Sequence, residues 1–145
     1  MKSYYASRDM SVTWLDAFKT CKAFDMDLVE LPTKAESDYF LNLLSKKQNP
    51  PHFAAHVGAS YVGVGLNEFY WMTTRLRINY PLKWGPGEPN NDGGDEQFLT
   101  IRKIPIGYKF NDISGTVNNE MICQHISEPD VNPKFPQCNP ATLEW

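Results

Sequence analysis

Between residues 84 and 96 the chain reads WGPGEPNNDGGDE, and six of the last nine residues, Glu88, Asn90, Asn91, Asp92, Asp95 and Glu96, carry side-chain oxygens. Asn111 and Asp112 add two more after an intervening β-prone run. Such crowding is self-repelling, and a hard cation such as Ca²⁺ relieves it by taking roughly six to eight oxygen ligands from carboxylates, amides and water. The alternating acid and Gly pattern of an EF-hand is absent, so a site here would be assembled from loops. A solvated acidic turn rich in Asn and Gly is the competing reading of the same residues.

Other chemistries find less support. Cys21, Cys123 and Cys138 form no CxxC pair and no Cys/His zinc spacing. A bridge between Cys21 and Cys123 would tie the two ends together and leave Cys138 over; three reduced thiols in a cytosolic protein is the alternative. His52, His56 and His125 make no HExxH and no triad, and each reads as a surface or satisfied core histidine. With 14 Lys plus Arg against 17 Asp plus Glu, the net charge of −3 offers no general attraction to phosphate backbones, so nucleic acid is not an expected partner. No apolar run reaches the roughly 18 residues of a membrane span, and the first residues lack a signal-peptide core.

The oxygen cluster needs a scaffold, and the 145 residues, 41% hydrophobic with 11 Pro and 9 Gly, suit one globular domain. KSYYAS (2–7) reads as a strand. Thr13 with Asp16 caps a helix whose stripe is Trp14, Ala17, Phe18, Cys21 and Phe24. DLVEL (27–31) is strand-like, and Thr33 with Glu36 caps a second helix with Tyr39, Phe40, Leu43 and Leu44 on its apolar face. Past residue 57 come short β-prone runs, SYVGVGL, FYWM, FLTIRKI, YKF and EMICQHI, broken by Gly, Pro and Asn. The order is α+β. The stretch 73–96 has no pattern of its own, and a loop that long in a compact domain is usually functional.

WGPGEPNNDGGDE, followed by FND (110–112) and MIC (121–123), resembles the long-loop and final-strand motifs of the C-type lectin domain. YYAS, the helix ending near Cys21, LVELPTKAE and VGVGL stand in the family's order, so the resemblance covers about residues 2–126. It implies the C-type lectin fold, with two helices, small antiparallel sheets and a long calcium-binding loop, over residues 1–126, and a Pro-rich tail over 127–145. It also implies a Cys21–Cys123 disulfide, a cis peptide before Pro89, and one Ca²⁺ held by Glu88, Asn90, Glu96, Asn111 and Asp112. The same five side chains would hydrogen-bond two vicinal sugar hydroxyls. The EPN form implies mannose-class sugars, namely mannose, N-acetylglucosamine and fucose, on glycans. A carboxylate held ionised on Ca²⁺ is a poor general acid, so no enzyme is expected. A secreted, pattern-recognising or agglutinating lectin is the implied role.

Three departures from the family stand out. Phe98 and Gly115 occupy the positions of a second disulfide, so both of its cysteines are missing together. The auxiliary calcium positions appear as Asn67, Trp71, Asn91 and Gln97, which predicts one strong site. Phe110 replaces a Trp and, with Trp71 and Trp84, is expected in the core. The alternative function is a protein-binding module in a disulfide-linked heterodimer, with Cys138 as the link to a covalent partner or oligomer.

Overall fold

The computed structural model describes residues 1–62, 68–127 and 142–144. Helix α1 (Trp14–Ala23) and helix α2 (Lys34–Ser45) both begin at a threonine cap. Thr13 Oγ1 accepts the Asp16 N–H at 3.3 Å and Thr33 Oγ1 the Glu36 N–H at 3.1 Å, each supplying a partner the first turn lacks. α1 buries Trp14, Ala17 and Cys21; α2 buries Phe40, Leu41 and Leu44. Two expected core residues lie outside. Phe24 follows the last residue of α1, where Asp25 turns the chain at φ 57°, and it is 70% exposed. Tyr39 is exposed because the buried face of α2 runs through Ser37, Phe40, Leu41 and Leu44.

The strands are β1 (Lys2–Ala6), β2 (Asp27–Leu28), β3 (Ala54–Tyr61), β4 (Phe69–Trp71), β5 (Phe98–Ile104), β6 (Gly107–Ile113), β7 (Glu120–Ile126) and β8 (Thr142–Glu144). They order as β6-β5-β3-β7-β1-β8, with β2 on β7 and β4 on β3. The expected antiparallel ladders are present, and two parallel pairings, β3 with β7 and β1 with β8, join them into one mixed sheet. β3 starts earlier than the SYVGVGL run suggested, since Ala54–Ser60 pairs with β5 through small side chains that read weakly as a strand. Most of VGVGL, residues 63–67, lies outside the described residues. Part of the expected tail belongs to the sheet: Thr142–Glu144 pairs with Ser3–Tyr5.

Cys21 of α1 and Cys123 of β7 form a disulfide across 102 residues, inside a cluster with Trp14, Ala17, Leu28 and Met121. Closing so long a loop stabilises the fold by roughly 2–4 kcal/mol. The main core lies between α2 and the sheet and includes Trp71 and Phe110, as expected, with Trp84 packed against it. His56 is buried and its Nε2 bonds Val12 O at 2.7 Å, while His52 and His125 are exposed.

At Phe98 and Gly115, where the resemblance implies a second disulfide in the family, aromatic packing fills the space. A β-carbon on Gly115 would lie 2.9 Å from Phe98 Cε2, so the ring rests on the glycine backbone. The same ring stacks on Trp14, with centroids 4.5 Å apart, and Trp14 stacks on Phe18 at 5.3 Å. Phe98 stands two residues past Glu96, the last of the oxygen cluster, so this stack anchors the end of the long loop. Phe98→Ala is expected to cost about 2 kcal/mol, below the loss at a fully buried ring because Phe98 is half-buried. Chemical denaturation measures it, and an unchanged midpoint would contradict the anchoring role.

Candidate metal and ligand site

Asp112 is the fixed point of the loop. Its register on β6, opposite Leu99, turns it to the core side, where it is 1% exposed. Its Oδ1 accepts the Asn90 N–H at 3.2 Å and its Oδ2 the Asn91 N–H at 2.8 Å, so one strand carboxylate holds the Glu-Pro-Asn turn from beneath. The segment before the turn is laid along β6 as well. Phe110 N–H donates to Lys83 O and Gly85 N–H to Phe110 O, both at 2.9 Å, which brings residues 84–90 beside residues 110–112. The Glu88–Pro89 peptide is cis.

Beyond Pro89 the loop folds back on itself. Asn91 at φ 46°, Gly93 at 71° and Gly94 at 79° make the reversal around a short 3₁₀ turn, Asp92–Gly94. Glu96 Oε1 accepts the Asp92 N–H at 2.7 Å, Asn91 Oδ1 accepts the Glu96 N–H at 3.1 Å, and Asn90 Oδ1 accepts the Asp92 N–H at 3.2 Å. The closure returns Glu96 to Asp112 and Glu88.

One carboxylate oxygen from each of Glu88, Glu96 and Asp112 then lies within 4.8 Å of the other two. Glu88 Oε2 and Asn111 Oδ1 are buried with no hydrogen-bond partner. Burial pushes the Glu88 carboxyl up to about 7, and the neighbouring Asp112 and Glu96 add to the shift. Much of the Glu88 side chain meets solvent, but its Oε2 does not, which is why desolvation leads. Glu96 is raised too, first by burial, with Asp112, Asp92 and Asp95 adding and the Asp92 N–H opposing. An all-oxygen set of three repelling carboxylates and two oxygens lacking partners fits a hard cation and no soft one.

The structure thus brings together Glu88, Glu96 and Asp112 and places Asn111 with Glu88 in the lining of one cavity, while Asn90 is exposed with its oxygen turned to the loop backbone. Of the auxiliary positions, Asn91 and Gln97 line a cavity of about 100 Å³ with Glu96 and Asp112, Trp71 is in the core, and Asn67 lies outside the described residues. Cys138 lies outside them also. One residue escaped the sequence reading. Glu30 is 1% exposed and its carboxylate accepts the N–H groups of Thr73 at 2.6 Å and Thr74 at 3.2 Å, tethering the start of the long loop. The signal for it was a single acid inside the apolar run DLVEL.

No protein-family model matches the chain. Its architecture matches the C-type lectin domain of murine dendritic cell inhibitory receptor 2, solved in complex with N-glycan, with a TM-score of 0.70 over 86% of this chain and 90% of that one, at 22% identity. The chain folds as a C-type lectin domain. In sequence, the chain is 22% identical over 123 residues to C-type lectin domain family 4 member A of Rattus norvegicus, covering 83% of the chain and 46% of that protein. It is 25% identical over 131 residues to perlucin of Haliotis laevigata, covering 90% of the chain and 81% of that protein. The chain therefore spans under half the length of the first of these relatives. Among its described residues no helix is long and apolar enough to cross a membrane.

The raised Glu88 group fixes the sign of a pH effect in the metal-free protein. A folded pKa above the unfolded one means that this group's contribution to stability is complete below about 4.5 and lost as pH rises through about 7. In EDTA, Glu88→Gln should therefore melt above the wild type at pH 8 and lose most of that advantage at pH 5.5, where Glu88 in the folded protein is itself protonated. Equal differences at both pH values would show that the cluster carries no such repulsion.

Proposed function

We propose that this lectin domain binds mannose-class sugars through one Ca²⁺ held by Glu88, Asn90, Glu96, Asn111 and Asp112. The observation that carries the reading is the pair of buried oxygens without partners, Glu88 Oε2 and Asn111 Oδ1, beside carboxylates within 4.8 Å of one another. Burying such groups is costly unless something binds them, and a cation compensates both the repulsion and the missing partners. Bound Ca²⁺ supplies positive charge and open coordination positions for a pair of vicinal hydroxyls.

The side chains give the sugar its orientation. A carboxylate such as Glu88 only accepts hydrogen bonds, whereas the Asn90 amide also donates through its NH₂, so the turn offers a hydroxyl both partners it needs. The Glu-Pro-Asn order supports mannose, N-acetylglucosamine and fucose over galactose, and the N-glycan complex of the similar murine receptor supports a glycan as ligand. The domain binds and does not catalyse, since each carboxylate of the cluster is committed to the cation. The lectin domain is residues 1–126, and of the segment 127–145 that follows it Thr142–Glu144 adds an edge strand beside β1. Its disulfide suits an oxidising, extracellular setting.

Retention on dense mannose resin tests the reading. The protein should be held in Ca²⁺, released by EDTA and by free mannose, and released poorly by galactose. Asn90→Ala, at an exposed position that leaves the fold alone, should weaken retention by roughly 10–100-fold, as loss of a metal-site group does. Retention that survives EDTA, or galactose eluting better than mannose, would contradict the proposal. Calcium binding without any retention would favour a protein ligand instead.

A further inference from the structure

Along the β5–β6 ladder, Leu99, Ile101, Phe110 and Asp112 face the core, so the alternating residues Thr100, Arg102, Lys109 and Asn111 share the opposite face, which is covered at Thr100 and open at Arg102. On that face Arg102 stands directly opposite Lys109. Like charges paired across strands destabilise a sheet, and an acid nearby normally offsets them. Here none does: the ion pairs of the described residues engage Lys2, Lys22, Lys34, Arg77 and Lys83.

The two cations also adjoin the sugar site. Arg102, Ile104, Lys109, Pro86, Glu88 and Asn111 line one shallow cavity of about 60 Å³. A β-carbon on Gly85 would lie 3.7 Å from both Glu88 Cγ and Lys109 Cβ, so the proposed metal ligand and the lysine stem border the same glycine. On the far side of Arg102 a second cavity, of about 260 Å³, is lined by Thr100, His52, Val117 and Asn111 among others, with no carboxylate in its wall. Glu88 is the single acid bordering the cations in either cavity. With Glu88 committed to calcium, the remaining charge on this face is positive.

We propose that Arg102 and Lys109 form a subsite for a sulfate or phosphate ester on the sugar held at, or next to, the calcium site. Both esters present tetrahedral oxyanions, which the planar guanidinium fork of Arg102 grips in two-point fashion and the Lys109 ammonium grips as a point charge. The sugar's vicinal hydroxyls would meet the EPN turn while its anionic group crosses Asn111 to the cationic pair. The inference rests on the sugar-binding reading and narrows it to anionic glycans.

Inhibition of retention on mannose resin is measured in Ca²⁺ with mannose, mannose 6-sulfate and mannose 6-phosphate, for the wild type and for Arg102→Gln and Lys109→Gln. One or both esters should inhibit about fivefold better than mannose, the gain expected of two solvent-accessible ion pairs. Which ester gains more identifies the group the subsite takes. The gain should shrink in each variant and fade at high salt, while mannose itself inhibits all three proteins equally. Esters no better than mannose, with mannose still competing, would overturn the subsite and leave the sugar site standing. A gain that persists in both variants would place the anion elsewhere and overturn it also. Failure of mannose to compete at all would overturn the sugar-binding reading and this inference with it.

Discussion

Three carboxylates cannot share one small volume at neutral pH without a reason, and here Glu88, Glu96 and Asp112 do so within 4.8 Å. Left to itself, such a cluster lowers its energy by holding a proton, which is what the upward shift of Glu88 expresses. A cation achieves the same relief and leaves the acids ionised. Every structural feature of the long loop can be read as a means of keeping these groups together against their repulsion. Asp112 accepts two N–H bonds from the turn, the 83–85 segment is stitched along β6, and the left-handed residues at 91, 93 and 94 fold Glu96 back over the site.

The rest of the molecule is the frame for that loop. Its start is tethered by the buried Glu30 carboxylate on Thr73 and Thr74, and its end by Phe98 packed on Gly115 and Trp14. The disulfide fixes α1, which carries Trp14, to β7 at the centre of the sheet. An aromatic stack, not a covalent link, thus anchors one end of the loop, and stacking is a softer restraint than a bond.

Much of this was legible from residue types and spacing. The two threonine caps, the α1 stripe from Trp14 to Cys21 and most late strands appear in the structure as the pattern predicted. The grouping of Glu88, Glu96 and Asp112 came from motif resemblance, because nothing in local sequence says that residues 96 and 112 meet. Phe24 and Tyr39 were misplaced since periodicity alone does not mark where a helix ends or which flank of its stripe faces inward. Glu30 and the Arg102–Lys109 pair were invisible for a different reason. Their environments are created by non-local contacts, a strand edge meeting a loop and a register between two strands, which a single sequence does not display.

The most direct measurement is a crystal structure of the protein grown with calcium and mannose, with the metal located by its anomalous scattering. One ion coordinated by Glu88, Asn90, Glu96, Asn111 and Asp112, with two mannose hydroxyls completing its shell, is the predicted result. Calcium bound away from these residues, or mannose bound without touching the metal, would contradict the account.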